Sequence, residues 1–227
     1  AKITLSLPDK TEKRYALLCT TWFVCLANLL SPRTEMEIFV MCFLAFFSYF
    51  LVTAGRHQGP DFTSHFKELM HSLFGLAYVA FIPLFLPRIH QSSFGVQWVI
   101  VFLLVVWAGD TGAYFAGKKY GRTKLYPLIS PKKTREGAIG GLAAGFVLAV
   151  ISKLTFFRMM PWAAMVIVPL FVGVVAQVGD LCESFLKRAF DTKDSGSILP
   201  GHGGFLDRFD GVVFSLPVMY ACVRLLG

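Results

Sequence analysis

The residues best suited to chemistry lie between Ser184 and Asp210, which read Ser-Phe-Leu-Lys-Arg-Ala-Phe-Asp-Thr-Lys-Asp-Ser-Gly-Ser-Ile-Leu-Pro-Gly-His-Gly-Gly-Phe-Leu-Asp-Arg-Phe-Asp. Gly201, Gly203 and Gly204 surround His202. Glycines in such a turn admit close backbone approach and leave amides free to aim at phosphate oxygens. Asp207 and Asp210 follow at i, i+3 with Arg208 between them. Carboxylates without accompanying cysteines or a histidine cluster suit Mg²⁺, a hard cation that keeps waters and uses one or two carboxylates plus substrate phosphates. His202 has the pKa range of an acid or base, and equally the setting of a histidine that only hydrogen-bonds a turn; its role stays open.

Two further sets of polar residues precede this stretch. Asp180, Glu183, Ser184 and Lys187 recur at i, i+3, i+4 and i+7, and so share one helix face. Asp110, Tyr114 and Gly117 recur at the same spacing, with Lys118 just beyond. Each set sits within an apolar run, where an ionisable group costs a few kcal/mol and normally faces a bundle interior or an aqueous cavity. The two stripes are expected to close on one polar cavity. Gly109-Asp110 and Gly179-Asp180 occupy matching places in their runs. Between them, Gly117–Gly137 holds seven cations against the single anion Glu136. One reading of this loop is an anchor for anionic headgroups. Another is a phosphate clamp, because Ser130-Pro131-Lys132-Lys133-Thr134 joins hydroxyls, a rigid turn and paired ammoniums. The two are compatible.

Membrane helices must position these groups. Of the 227 residues 55% are hydrophobic and 16% charged, where a soluble domain carries roughly 25% charged. Seven uncharged runs approach the roughly 20 residues that span a bilayer: Tyr15–Leu30, Met36–Ala54, Leu69–Leu86, Phe94–Gly117, Gly137–Phe157, Pro161–Ser184 and Gly211–Leu226. The expected fold is an all-α polytopic bundle of one domain, with scaffold spans over residues 1–93 and a catalytic half over 94–227. With the amino terminus in the cytosol, 17 of the 22 Lys and Arg residues fall in cytosolic segments. The positive-inside bias therefore sets that orientation. It also accounts for the net charge of +8 without a nucleic acid partner. The five cysteines have no C-x-x-C pair or ligand spacing and read as small packing residues.

The stretch from Trp107 to Gly211 closely resembles the phosphatidate cytidylyltransferase (CDP-diacylglycerol synthase) family. The resemblance is carried by Ser184, Lys187-Arg188, Lys193-Asp194, Pro200-Gly201-His202-Gly203-Gly204 and Asp207-Arg208-Phe209-Asp210. Asp110-Thr-Gly-Ala-Tyr114, Ser130-Pro-Lys-Lys-Thr134 with Glu136-Gly137, and Gly179-Asp180 are also similar to family motifs. What the resemblance implies is Mg²⁺-dependent conversion of CTP and phosphatidic acid to CDP-diacylglycerol and pyrophosphate. It implies an integral protein of the bacterial cytoplasmic membrane with its active site at the cytosolic face, and it suggests a homodimer. Metal ligation carries over onto Asp180 and Asp207, and onto Asp110 and Asp210, with room for a second cation. Asp180, Asp207, Lys187 and Arg208 are then the expected catalytic groups. Ser130, Lys132, Lys133, Thr134, Arg188, His202, Gly203 and Gly204 are the expected substrate-binding ones. A CTP-dependent isoprenoid-alcohol kinase would share this logic, and a cation-coupled transporter would use the intramembrane carboxylates differently.

Overall fold

The computed structural model describes residues 38, 40–45, 47–48, 62–189 and 206–226. They belong to two compact units, Ala1–Leu84 and Phe85–Gly227.

In the first unit, helix α1 (Phe62–Leu76) runs into a π-helical turn at Ala77–Phe81 and a 3₁₀ turn at Ile82–Leu84. Pro83 explains the change. It has no N–H to give, and its ring crowds the carbonyl four residues earlier. The ladder widens ahead of it, with the Ile82 N–H reaching back to the Ala77 carbonyl. The expected span Leu69–Leu86 is therefore not one continuous α-helix. Cys42, Leu76, Ala80 and Leu84 are buried together, with Ile38 and Phe81 packed alongside. Tyr15–Leu30 and much of Met36–Ala54 lie outside the described residues.

The second unit contains α2 (Phe85–His90), α3 (Gly95–Tyr120), β1 (Lys124–Tyr126), β2 (Ser130–Thr134), α4 (Arg135–Leu154), α5 (Ala164–Ala189) and α6 (Leu206–Leu226). Four of its helices are long and apolar enough to cross a membrane: Gly95–Tyr120, Arg135–Leu154, Ala164–Arg188 and Phe209–Leu226. They fall on the last four expected spans. Helices α3 and α5 run past the expected ends, so Lys118, Lys119, Lys187 and Arg188 stand on helix and not in loops. Ile100, Trp107, Phe146, Val147, Leu170 and Phe171 remain exposed on these helices, an apolar surface of the kind that lipid covers. The basic loop is folded too. Strands β1 and β2 form an antiparallel hairpin with Lys124 opposite Thr134 and Tyr126 opposite Ser130, so the chain is mostly helical but not all-α.

Small residues bring the helices close. Gly137, Gly141 and Gly145 repeat every four residues on α4, and all three are buried. A Cβ on Gly141 would stand 2.7 Å from the Gly109 carbonyl oxygen and 3.1 Å from Ala113 Cβ; one on Gly112 would meet Ala144 Cβ at 2.5 Å. Helices α3 and α4 are thus packed backbone to backbone, as helices in lipid do when small residues line their seam. The α5–α6 seam works similarly, since a Cβ on Gly179 would meet Phe214 Cβ at 2.5 Å and the Asp210 carbonyl oxygen at 3.1 Å. Gly179 thus admits α6 beside Asp180, whereas a Cβ on Gly109 would meet only the Gly141 carbonyl oxygen at an ordinary 3.7 Å.

Trp98, Phe102, Val105, Val168, Val172, Leu216 and Met219 are buried in the core of this unit. The Trp98 ring meets Phe157 edge-on at 4.9 Å. At the end of α4 remote from the hairpin, the Lys153 ammonium donates to the Arg158 and Met160 carbonyls at 2.5 Å each and lies over the Trp162 ring. That clasp holds the connection into α5. Replacement of Gly141 by Leu would force α3 and α4 apart. It is expected to cost about 1–3 kcal/mol and to lower the thermal unfolding midpoint in detergent, with Gly141→Ala showing a smaller loss.

Candidate active site

The hairpin is anchored where α3 ends and α4 begins. Thr134 is the N-cap of α4, in extended conformation, and its Oγ1 accepts from the Gly137 N–H at 3.1 Å. The Glu136 carboxylate accepts from the Thr123 N–H at 3.1 and 3.2 Å, and the Arg135 N–H donates to the Thr123 carbonyl at 2.9 Å. Thr134 also packs over α3, where a Cβ on Gly117 would stand 3.0 Å from its hydroxyl. Strand β2 is thereby held against the end of α3 and the start of α4.

A cavity of about 370 Å³ opens there, lined by Asp110, Tyr114, Gly117 and Lys118 of α3, Lys132, Lys133 and Thr134 of β2, Ala138 of α4, and Gln177 and Asp180 of α5. The Lys133 ammonium pairs with the Asp180 carboxylate at 2.5 Å. Asp110 and Asp180 repel one another, and Lys133 offsets that repulsion. Asp210 does not line this cavity but feels the charges of Asp180, Asp110 and Lys133 from α6, and one of its carboxylate oxygens accepts from the Gly211 N–H at 2.7 Å.

A second cavity of about 190 Å³ lies beyond Lys132, lined by Ile129, Ser130, Pro131, Lys132, Ser184, Lys187 and Arg188. Glu183 lines neither cavity. It is 2% exposed and pairs with the Lys187 ammonium at 2.5 Å.

The two stripes expected to close on one cavity are thus shared between two that meet at Lys132. Asp207 and Arg208 stand in the first turn of α6, and their side chains lie outside the described set, as do residues His202, Gly203 and Gly204 altogether. Gln177 escaped the sequence reading. Its Nε2 donates to the Ala138 carbonyl at 3.0 Å, tying α5 to the start of α4 on the cavity wall. The signal was present, since Gln177 precedes Asp180 by three residues and extends its stripe.

Carboxylates outnumber the ammonium paired with them, and their oxygens suit a hard divalent cation. Among the described residues no three His, Cys, Asp or Glu side chains converge closely enough to hold an ion by themselves.

The model of the Cytidylyltransferase family matches residues 3–226. The chain belongs to the cytidylyltransferase family. It is similar to a phosphatidate cytidylyltransferase of Bacillus subtilis, 46% identical over 136 residues that cover 60% of this chain and 51% of the relative. It is also similar to one of Staphylococcus aureus, 44% identical over 155 residues that cover 67% and 59%. The chain thus spans 51% to 59% of the length of these relatives. A solved structure described as an intramembrane enzyme for archaeal membrane lipids biosynthesis aligns at a TM-score of 0.42 and 26% identity, over 54% of this chain and 76% of that one. With four helices long and apolar enough to cross a membrane, and relatives among the bacterial phosphatidate cytidylyltransferases, the chain is an integral membrane protein.

Because the Thr134 hydroxyl starts α4, Thr134→Val should lower stability by about 1 kcal/mol. The check is thermal unfolding in detergent, with Thr134→Ser retaining most of the wild-type midpoint.

Proposed function

We propose that this family member makes CDP-diacylglycerol and pyrophosphate from CTP and phosphatidic acid. The supporting observation is the single cavity in which Asp110 and Asp180 face Lys132, Lys133 and Thr134. A site for joining two phosphate-bearing reactants needs both signs of charge. Cations and hydroxyls receive phosphate oxygens, and carboxylates receive a metal that lets the anions approach.

The phosphate oxygen of the lipid attacks the α-phosphorus of CTP in line. A new P–O bond forms, the bond to the β-phosphate bridge breaks, and pyrophosphate carries the charge away. The attacking oxygen is already anionic at neutral pH, so positioning and neutralisation dominate over base catalysis. Lys132 and Lys133 hold phosphate oxygens from β2, Ser130 and Thr134 orient them, and Lys187, Arg188 and Arg208 add positive charge. Gly203 and Gly204, with His202, are assigned to the same substrate on the strength of the family resemblance. Asp180 and Asp207 would hold Mg²⁺, with Asp110 and Asp210 beside them for a second cation. When bound, the ion neutralises charge between the reactants and the departing pyrophosphate. Loop charge supports a site at the cytosolic face, and the family resemblance suggests a bacterial cytoplasmic membrane and a second copy as partner.

CTP labelled in its cytidine, incubated with phosphatidic acid and Mg²⁺, should place label in the organic phase, and chelation with EDTA should stop it. Label confined to the aqueous phase would overturn the reading. Asp180→Asn should lower the transfer rate by about 100-fold or more while the helical content by circular dichroism is unchanged.

A further inference from the structure

The turn of the hairpin is apolar where turns are ordinarily polar. Residues 126–129 read Tyr-Pro-Leu-Ile, and the Ile129 N–H closes the turn on the Tyr126 carbonyl at 3.3 Å. Pro127 presets the second turn position, and the third, where Gly, Asn, Asp or Ser is usual, holds Leu128. Leu128 is 89% exposed, more than any other large apolar side chain among the described residues. We propose that this turn docks on the anionic surface of the leaflet beside it, with Leu128 at the acyl boundary and the neighbouring cations on headgroup phosphates. Such docking holds whichever reaction the larger cavity performs.

Depth decides that the turn meets lipid. The hairpin leaves α3 at Tyr120 and enters α4 at Arg135, the ends of two membrane-crossing stretches. Thr123, Thr134 and Glu136 clamp its base at that level. Its far end stays there too, because Ile129, Pro131 and Lys132 share the cavity of about 190 Å³ with Ser184, Lys187 and Arg188. Arg188 ends the crossing stretch Ala164–Arg188, and Ser184 lies one turn inside it, about 6 Å at 1.5 Å per residue. Strand β2 therefore starts beside the last turn of α5, and the hairpin runs along the membrane surface at headgroup depth. A bare leucine at that depth exchanges contact with water for contact with acyl chains.

Charge complementarity selects an anionic surface. Arg122 and Lys124 are exposed on the same hairpin, and Glu136, the single anion of Gly117–Gly137, is engaged by the Thr123 N–H. Each cation held near a leaflet gains from the anionic headgroups it meets. Tyr120 and Tyr126 are exposed beside them, and the Lys119 ammonium lies over the Tyr120 ring at 5.1 Å. A side chain with an apolar body and a polar tip suits this boundary. The strand pleat keeps this surface apart from the site. On β1, Leu125 lines the larger cavity while Lys124 and Tyr126 on either side of it are exposed, as successive residues of a strand face opposite ways. The headgroup anchor and the phosphate clamp thus fall to different residues of one hairpin, with Arg122, Lys124 and Leu128 on the leaflet and Lys132 and Lys133 on the cavities.

The test is photocrosslinking of the purified chain in nanodiscs of phosphatidylglycerol and phosphatidylcholine. Leu128 is replaced by p-benzoylphenylalanine, and adducts are read by intact mass and peptide mapping. The same group in place of Phe146, exposed on the apolar surface of α4, is the lipid-facing reference. Position 128 is expected to form lipid adducts, with a yield that falls about threefold or more in discs of phosphatidylcholine alone. Arg122→Gln combined with Lys124→Gln should lower the yield in anionic discs toward that neutral level, with helical content by circular dichroism unchanged. Leu128→Trp gives a second reading, since the fluorescence it adds to wild type should be quenched more by lipids brominated near the top of the acyl chain than by aqueous iodide. Adducts to another segment of this chain or to a second copy in place of lipid would overturn the docking. So would lipid adducts at position 146 but none at 128, a yield indifferent to leaflet charge and to the paired Gln variant, or stronger quenching by iodide.

Discussion

Carboxylates carried on membrane-crossing helices need compensating charge, because the surrounding hydrocarbon supplies none. In this protein Asp110, Asp180 and Asp210 come from three different helices and share the attraction of Lys133. Lys133 belongs to none of those helices. It arrives on the hairpin between α3 and α4, which is why the hairpin has to be held firmly to both. Glu136, Thr123 and Thr134 provide that attachment. The glycine seams provide the closeness, since Asp210 approaches Asp180 only because Gly179 has no side chain facing α6.

Such an arrangement divides electrostatic labour along one strand. Lys133 faces the carboxylate cluster, and its neighbour Lys132 stands at the wall between two cavities. One turn further along α5 from Asp180, the pattern repeats with the roles exchanged, as Glu183 is enclosed and Lys187 is presented. A single helix face thus offers a carboxylate to one cavity and a cation to the next. The i, i+3, i+7 spacing of Asp180, Glu183 and Lys187 is what makes that alternation available.

Much of the fold could be read from the chain because hydrocarbon thickness imposes a length on apolar runs. The spans beginning near Phe94, Gly137, Pro161 and Gly211 appear as helices close to their expected limits. Leu69–Leu86 did not, because a hydropathy sum ignores the missing N–H of Pro83. The hairpin was hidden by its composition, as Lys-Leu-Tyr and Ser-Pro-Lys-Lys-Thr lack the apolar alternation that marks a strand; its pairing comes from the helices that clamp its ends. The juxtaposition of Asp110, Lys133, Thr134 and Asp180 was legible as two stripes and a basic loop. The division into two cavities was not, since spacing places Glu183 beside Ser184 and Lys187 without saying that it turns inward. The seam of Gly137, Gly141 and Gly145 looked like ordinary span residues until their backbone neighbours were in view.

Thr134 links architecture to occupancy through the direction of its hydrogen bonds. A hydroxyl has one proton and two lone pairs, and one lone pair is committed to the Gly137 N–H. The hydroxyl still has its proton to give, and because Thr134 lines the larger cavity, an acceptor bound there is a partner for it. An anion that takes the proton polarises the same oxygen into a better acceptor for the helix amide, as linked hydrogen bonds do. Occupancy and helix initiation then become cooperative: a filled cavity tightens the first turn of α4, and a well-formed first turn pre-orients the hydroxyl toward its ligand.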